Sequence, residues 1–214
     1  TDADVLITML GDPTAVEETA FGSNGLLENL PAKAVWVDST TVDPAFASRM
    51  ASEAAQRGLA YLEAPVLGSR EPAEKAELAF LVGGEAADVA FMKPILEAMG
   101  KQVKHLGPAG KGAAMKMVFN HQLGQAMAAF AEGVQLGTAM GLDEQQVIRV
   151  LINGPVTAPF LEGKQDKIQQ GDYSADFPLK WMQKDLHLAS KAAYDANASG
   201  LMTSTAKELY RLAN

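Results

Sequence analysis

The stretch covering residues 107–141 places the strongest constraint on how this chain can fold. It opens on a glycine-rich turn and continues as a helical pattern, in which Lys116 and Glu132 are the only formal charges between positions 112 and 140. A helix that is apolar on nearly all sides belongs in a core or in a subunit interface. The sequence therefore predicts one long helix at the centre of the fold, with a single ammonium group near its start.

The first 107 residues alternate short apolar runs with helical patterns. The apolar runs, which we predict to be strands, cover residues 5–10, 34–38, 59–64, 78–82 and 103–106. Such alternation indicates an α/β fold with a partly parallel sheet. No strand-like run follows residue 107, and the remaining sequence has helical patterns. We therefore expect an α/β domain over residues 1–107 and an all-α domain over residues 108–214.

Composition argues against several classes of partner. The net charge of −8 does not suit nucleic acid or an anionic membrane surface, both of which select basic proteins. The chain contains no cysteine, and its three histidines are not spaced as metal ligands. No apolar run is long enough to span a membrane, and no secretory pattern opens the sequence. We therefore expect a cytoplasmic protein without a metal, nucleic-acid or membrane partner.

Lys116 and Asn120 are the polar pair of the long helix. A spacing of four residues separates them by about 40° around the helix axis, so both side chains point from one face. Lys116 could extend along the helix to water, or it could face a crevice where burial lowers its pKa and suits it to deliver a proton. Asn120 could hold a ligand atom or make a packing hydrogen bond, and the sequence alone favours the packing bond.

Three loops follow predicted strands, where open α/β sheets bind ligands. Residues 10–13 and 39–41 are expected to share one rim of the sheet. Gly68 and Ser69 could hold an anionic group with their amides, or the chain could simply leave the sheet there through Pro65. The adjacent Lys184 and Asp185, taken in isolation, are interpreted as a solvated charge pair on a helix.

Four segments occur in the order found in one known family. With these segments the chain resembles the β-hydroxyacid dehydrogenases, which include 3-hydroxyisobutyrate dehydrogenases, and within them it is most similar to the glyoxylate/succinic semialdehyde reductases. The resemblance covers nearly the whole chain and implies a Rossmann-like domain followed by a helical domain. The segments are VDSTTVDP (37–44), EAPVLGSREPAEKAELAFLVGG (63–84), GPAGKGAAMKMVFN (107–120) and FPLKWMQKDLHLA (177–189).

The resemblance also implies an activity and a set of site residues. The implied reaction is hydride transfer between NADP or NAD, with NADP favoured, and a small acid semialdehyde, in a homo-oligomer that is a dimer or larger. Lys116 corresponds to the catalytic proton donor, and Asn120 to a residue that orients the substrate. Cofactor contacts are implied for Leu10, Gly11, Pro13, Thr41 and Lys184, and substrate contacts for Gly68, Ser69 and Phe177.

Two departures from the family pattern modify this expectation. Leu67 stands where the family has a serine that binds the substrate carboxylate. No GxGxxG run is present, so the sequence is expected to be a truncated form with an incomplete Rossmann-like domain that binds dinucleotide weakly or not at all. The alternative is a catalytically silent, dimeric scaffold or binding protein on the same fold, which Lys116 opposes. An imine-reducing relative is the third possibility.

Overall fold

The computed structural model describes residues 3–214, which form a mixed sheet followed by a helical half. The strands are β1 (Val5–Thr8), β2 (Val35–Asp38), β3 (Ala60–Glu63), β4 (Val66–Leu67), β5 (Leu78–Gly83) and β6 (Gly100–Gly107). The helices of the first half are α1 (Pro13–Phe21), α2 (Leu26–Asn29), α3 (Pro44–Ala55), α4 (Arg70–Glu74) and α5 (Ala86–Met99). The helices of the second half are α6 (Lys111–Ala139), α7 (Glu144–Ile152), α8 (Gln165–Gln170), α9 (Leu179–Asp195) and α10 (Leu201–Leu212), with a 3₁₀ segment at Pro159–Lys164.

The sheet is parallel through its first three strands and mixed beyond them. β2 pairs in parallel with both β1 and β3, whereas β5 runs antiparallel to β3 and β4 and parallel to β6. Within residues 3–214 no strand follows β6. The prediction of an α/β sheet followed by a helical region is therefore confirmed.

Hydrophobic clusters lie on both faces of the sheet. Trp36 and Tyr61 belong to the face covered by α1 and α3, a cluster that also takes in Ala113 of α6. Val37 and Leu62 belong to the opposite face, together with residues of α5. Because side chains alternate along a strand, Asp38 and Glu63, at the ends of β2 and β3, lie on the same face of the sheet as Trp36 and Tyr61, which is also the face that Ala113 of α6 contacts. The parallel register places Asp38 and Glu63 side by side.

The short elements were not predicted from the sequence. β4 has two residues and α2 has four, which is too few for a periodic apolar pattern to be visible. Gly100 caps the end of α5 and is also the first residue of β6. A Cβ there would lie 2.4 Å from the carbonyl oxygen of Leu78, so only glycine allows this close strand approach.

The long helix α6 connects the sheet to the helical half. It packs against β5 at its start and against α7, α9 and α10 further along. Four large apolar residues on it are exposed in the single chain: Met115, Val118 and Phe119 near its start and Leu136 near its end. Within residues 3–214, none of the helices combines the length and hydropathy that crossing a membrane requires.

Candidate active site

Lys116 lies in the second turn of α6 and points at the sheet. Its Nζ donates a hydrogen bond to the carbonyl oxygen of Val66 in β4, at 2.8 Å. The side chain is only partly exposed, and its ammonium lies 6.0 Å from the ring centroid of Phe119. The lysine therefore connects α6 to the sheet, and it does not extend along the helix to water.

Asn120 lies one turn further along α6 and is almost fully buried. Its Nδ2 donates a hydrogen bond to Oδ2 of Asp185 in α9, at 2.6 Å. Asp185 is itself 2% exposed. The packing hydrogen bond that the sequence favoured for Asn120 is thus confirmed, and its acceptor is the carboxylate that pairs with Lys184.

Lys184 and Asp185 form a buried ion pair, so their interpretation as a solvated charge pair is wrong. The Lys184 Nζ lies 2.9 Å from Oδ1 of Asp185, and the side chains are 18% and 3% exposed. The same ammonium donates to the carbonyl oxygen of Thr41, at 2.9 Å. The pair is buried because α9 packs along α6 and reaches the loop after β2.

The pKa values of this cluster follow from burial and from the charges it contains. Burial lowers the pKa of Lys116 to about 8; the nearby Lys184 also lowers it, and Asp185 acts in the opposite direction. Burial raises the pKa of Asp185, while Lys184, Lys116 and Asn120 oppose that rise. Lys116 is therefore an ammonium group that releases its proton far more readily than an ordinary lysine.

The loops after β1 and β2 share one rim, as the sequence predicted. The Leu10 amide donates to the hydroxyl oxygen of Thr40, at 2.9 Å. A Cβ at Gly11 would lie 2.9 Å from Cη2 of Trp181, so the α9 indole packs on this loop. Pro13 begins α1 directly after the rim. Local periodicity gave no signal for Trp181, because its contact joins residues that are far apart in the sequence.

The predicted substrate residues lie outside the buried cluster. Gly68 and Ser69 are exposed and follow β4, directly beyond the Val66 carbonyl that Lys116 contacts. Phe177 is 43% exposed and precedes α9. Among residues 3–214, no hydrogen bond joins these three residues to Lys116, Asn120 or Asp185. Their contact with a substrate stays a prediction.

The donor set suits a nicotinamide cofactor and a small anion. The rim lies at the carboxyl ends of parallel strands, where open α/β sheets bind nucleotides, and Lys184 adds a cation beside Thr41. Lys116 adds a second cation at the end of β4. Within the described part of the chain, no group of three His, Cys, Asp or Glu side chains is placed to hold a metal ion.

Comparison with known protein families covers nearly the whole chain. Residues 1–107 match the model described as the NAD binding domain of 6-phosphogluconate dehydrogenase. Residues 110–214 match the model described as NAD-binding of NADP-dependent 3-hydroxyisobutyrate dehydrogenase.

Individual proteins show the same similarity. The chain is 37% identical over 210 residues to the chloroplastic glyoxylate/succinic semialdehyde reductase 2 of Arabidopsis thaliana, covering 98% of this chain and 59% of that protein. It is 34% identical to glyoxylate/succinic semialdehyde reductase 1 of the same plant, covering 97% of this chain and 72% of that protein. The Mycobacterium tuberculosis 3-hydroxyisobutyrate dehydrogenase structure with L-serine has a TM-score of 0.86 at 28% identity, covering 98% and 74% of the two chains.

Proposed function

Because the chain belongs to the β-hydroxyacid dehydrogenase family of NAD(P)-dependent oxidoreductases, we propose that it interconverts a small acid semialdehyde and its hydroxyacid. The observation that supports this most is the Lys116 ammonium, held at the Val66 carbonyl with a pKa lowered to about 8. A general acid works best when its pKa is near the operating pH. Lys116 meets that condition, and an ordinary lysine does not.

Lys116 moves the proton in this proposal. A nicotinamide cofactor, when bound, supplies the hydride in reduction and accepts it in oxidation. Lys116 Nζ donates its proton to the carbonyl oxygen of the substrate, which becomes the hydroxyl of the product. In the reverse direction the neutral amine takes that proton back. The ammonium also stabilises negative charge that develops on the oxygen before the proton arrives.

The residues around Lys116 hold it in place and tune it. Asp185 favours the charged form of Lys116, and Asn120 fixes the Asp185 carboxylate through its 2.6 Å hydrogen bond. Lys184 holds the other carboxylate oxygen and the Thr41 carbonyl, so the cofactor rim and the proton donor are joined through one ion pair. We infer that Asn120 contributes to the substrate's surroundings largely by holding the Asp185 carboxylate in place.

Leu67 bears on the choice of substrate. Val66 packs in the cluster beneath α5, so alternation turns Leu67 to the opposite face, which α6 covers. A serine there would offer a hydroxyl to a carboxylate, and its absence removes about 1 to 3 kcal/mol of discrimination. We propose that the remaining anion contacts come from the exposed turn at Gly68 and Ser69.

A substrate panel tests the proposed function. Glyoxylate, succinic semialdehyde and tartronate semialdehyde are offered with NADPH and with NADH, and nicotinamide absorbance is followed. We expect turnover of at least one acid semialdehyde. A neutral aldehyde of similar size is the matched control, and we expect it not to react. Calorimetry with NADPH and with NADH first sets the saturating cofactor concentration for each assay.

The opposite outcome favours the alternative function. If no acid semialdehyde turns over at saturating cofactor, the chain is better described as a silent scaffold or binding protein on this fold. Equal turnover of the neutral aldehyde would contradict the proposed substrate class and leave the reductase activity intact.

We also propose that the chain forms a homo-oligomer through α6. Met115, Val118 and Phe119 are 44%, 57% and 42% exposed. Val118 and Phe119 lie about one helical turn beyond Met115, so the three side chains form an apolar strip on α6. Sedimentation equilibrium at micromolar concentration should give a mass at least twice that of one chain. A variant with Val118→Lys should lower this mass, whereas a monomeric wild-type protein would contradict the proposal.

A further inference from the structure

Glu63 is a fully buried carboxylate at the end of β3. Its Oε1 accepts hydrogen bonds from the amides of Gly110 and Gly112, at 2.6 and 3.0 Å. These amides open α6, whose first N–H groups have no partners within the helix. The N-cap residue Gly110 has no side chain to satisfy them. Glu63 therefore caps α6 from a strand that lies far away in the sequence.

The cap is held tightly from both sides. A Cβ at Gly83 would lie 2.0 Å from Oε1 of Glu63, so β5 approaches the carboxylate without a side chain between them. A Cβ at Gly112 would lie 2.3 Å from the carbonyl oxygen of Leu81. Gly110 adopts a φ of 96°, which favours glycine. These contacts leave the start of α6 little freedom to slide or rotate.

The same short segment of chain contacts α6 a second time. Three residues beyond Glu63, the Val66 carbonyl accepts from Lys116, which lies four residues beyond Gly112. Shifting a helix by one residue rotates its side chains by about 100° and moves them by about 1.5 Å. The position of the cap therefore sets where the Lys116 ammonium lies against β4.

We propose that Glu63 is a positioning residue for Lys116, because its buried carboxylate holds the start of α6 at the end of β3. The inference rests on the proposed function only for the role of Lys116 in proton transfer. Glu63 does not contact the ammonium. By holding the start of α6, Glu63 determines where the Lys116 side chain lies and which groups surround it.

Two variants separate the length of the side chain from its charge. Glu63→Gln keeps the length and one oxygen acceptor, whereas Glu63→Asp keeps the charge and shortens the reach. Glu63→Asp should lower kcat about 10- to 100-fold, because a shift near 1 Å at a reacting group is that costly. Glu63→Gln should stay within about threefold of the wild type, since the amide oxygen still accepts from both glycine amides. Glu74→Asp, on the exposed helix α4, is the matched control.

An NMR titration of Lys116 supplies a readout that does not depend on turnover. The lysines are isotope-labelled, and the Lys116 signal is assigned as the one missing from Lys116→Met. In Glu63→Asp the pKa of Lys116 should move upward from about 8 towards the value of a solvated lysine. Glu63→Gln and Glu74→Asp should leave it unchanged. This result is independent of the reaction, so an inactive chain would contradict the proposed function without affecting the positioning role.

Several outcomes would overturn the positioning role. One is a folded Glu63→Asp protein with wild-type kcat and an unmoved Lys116 titration. Another is a folded Glu63→Gln protein that loses activity tenfold or shifts the titration, because charge rather than length would then be decisive. If Glu63→Asp does not fold, the role would be overturned by a folded Glu63→Gln protein in which fast hydrogen exchange of the Gly110 and Gly112 amides shows the cap to be lost while kcat and the Lys116 titration stay those of the wild type. Slow hydrogen exchange of the Gly110 and Gly112 amides in that variant shows whether its cap is formed.

Discussion

Replacing Lys116 with methionine is expected to lower kcat for carbonyl reduction by about three orders of magnitude, the usual contribution of a positioned general acid. Methionine has nearly the length of lysine and fills the same space, but it has no proton to give. The KM values should change little, because the cofactor rim and the Gly68 turn are untouched. Steady-state kinetics at saturating cofactor measures the effect. Lys111→Met, an exposed change at the start of α6, is the control and should remain active.

The stability of the same variant separates lost chemistry from lost folding. Burial lowers the pKa of Lys116 to about 8, so holding the charged form in the native state costs free energy below that pH. Lys116→Met removes this cost of about 3 kcal/mol but leaves the Val66 carbonyl without its donor, so it should raise the free energy of unfolding by about 2 kcal/mol at neutral pH. Wild-type stability should rise as pH increases from about 8 towards 10, because the native state then binds fewer protons than the unfolded state.

Two results would contradict these expectations for Lys116→Met. Kinetics with Lys116→Met within tenfold of the wild type would remove Lys116 from the reaction. A variant that is less stable than the wild type, with a wild-type profile that is flat in alkali, would show that the lysine is not desolvated in the way the structure indicates.

Replacing Asp185 with asparagine is expected to have the second largest effect. The change removes the carboxylate from a buried pair and leaves Lys184 uncompensated, which should cost about 3 kcal/mol of stability. Asp185 also raises the pKa of Lys116, so its loss should lower that pKa further and move the alkaline limb of the kcat profile to lower pH. Denaturant unfolding and the pH dependence of kcat measure the two effects.

The control for Asp185 lies on the same helix. Asp195 pairs with Lys191 on the surface of α9, where both side chains are 47% exposed. Asp195→Asn should therefore change stability by less than about 1 kcal/mol and leave the pH profile in place. An alkaline limb that stays fixed or moves to higher pH in Asp185→Asn would contradict the electrostatic role given to Asp185.

The sequence predicted those features that depend on local pattern. The main strands and the long helix follow from apolar runs and their spacing, and the four-residue spacing correctly placed Lys116 and Asn120 on one face. β4 was missed because two residues have no periodicity. Its carbonyl is nevertheless the acceptor for Lys116, so an essential part of the site had no local signal.

The partners of the polar groups could not be predicted for a related reason. Asp185 and Lys184 resemble any exposed pair on an amphipathic helix, and their burial depends on α9 packing against α6 and the loop after β2. The cap from Glu63 to Gly110 joins residues 47 positions apart. The resemblance to a family implies that Lys116 and Lys184 are site residues, a prediction that stays open, whereas the contacts of Asp185 with Lys184 and Asn120 came from the structure.

The pH dependence of kcat for reduction, measured at saturating cofactor and substrate, tests most directly the claim that Lys116 delivers the proton. We predict that kcat is constant in mild acid and falls above a pH of about 8, the value at which Lys116 loses its proton. The same limb should lie at lower pH in Asp185→Asn. A wild-type kcat that stays constant well above that pH, with the chain still folded, would contradict the role of Lys116.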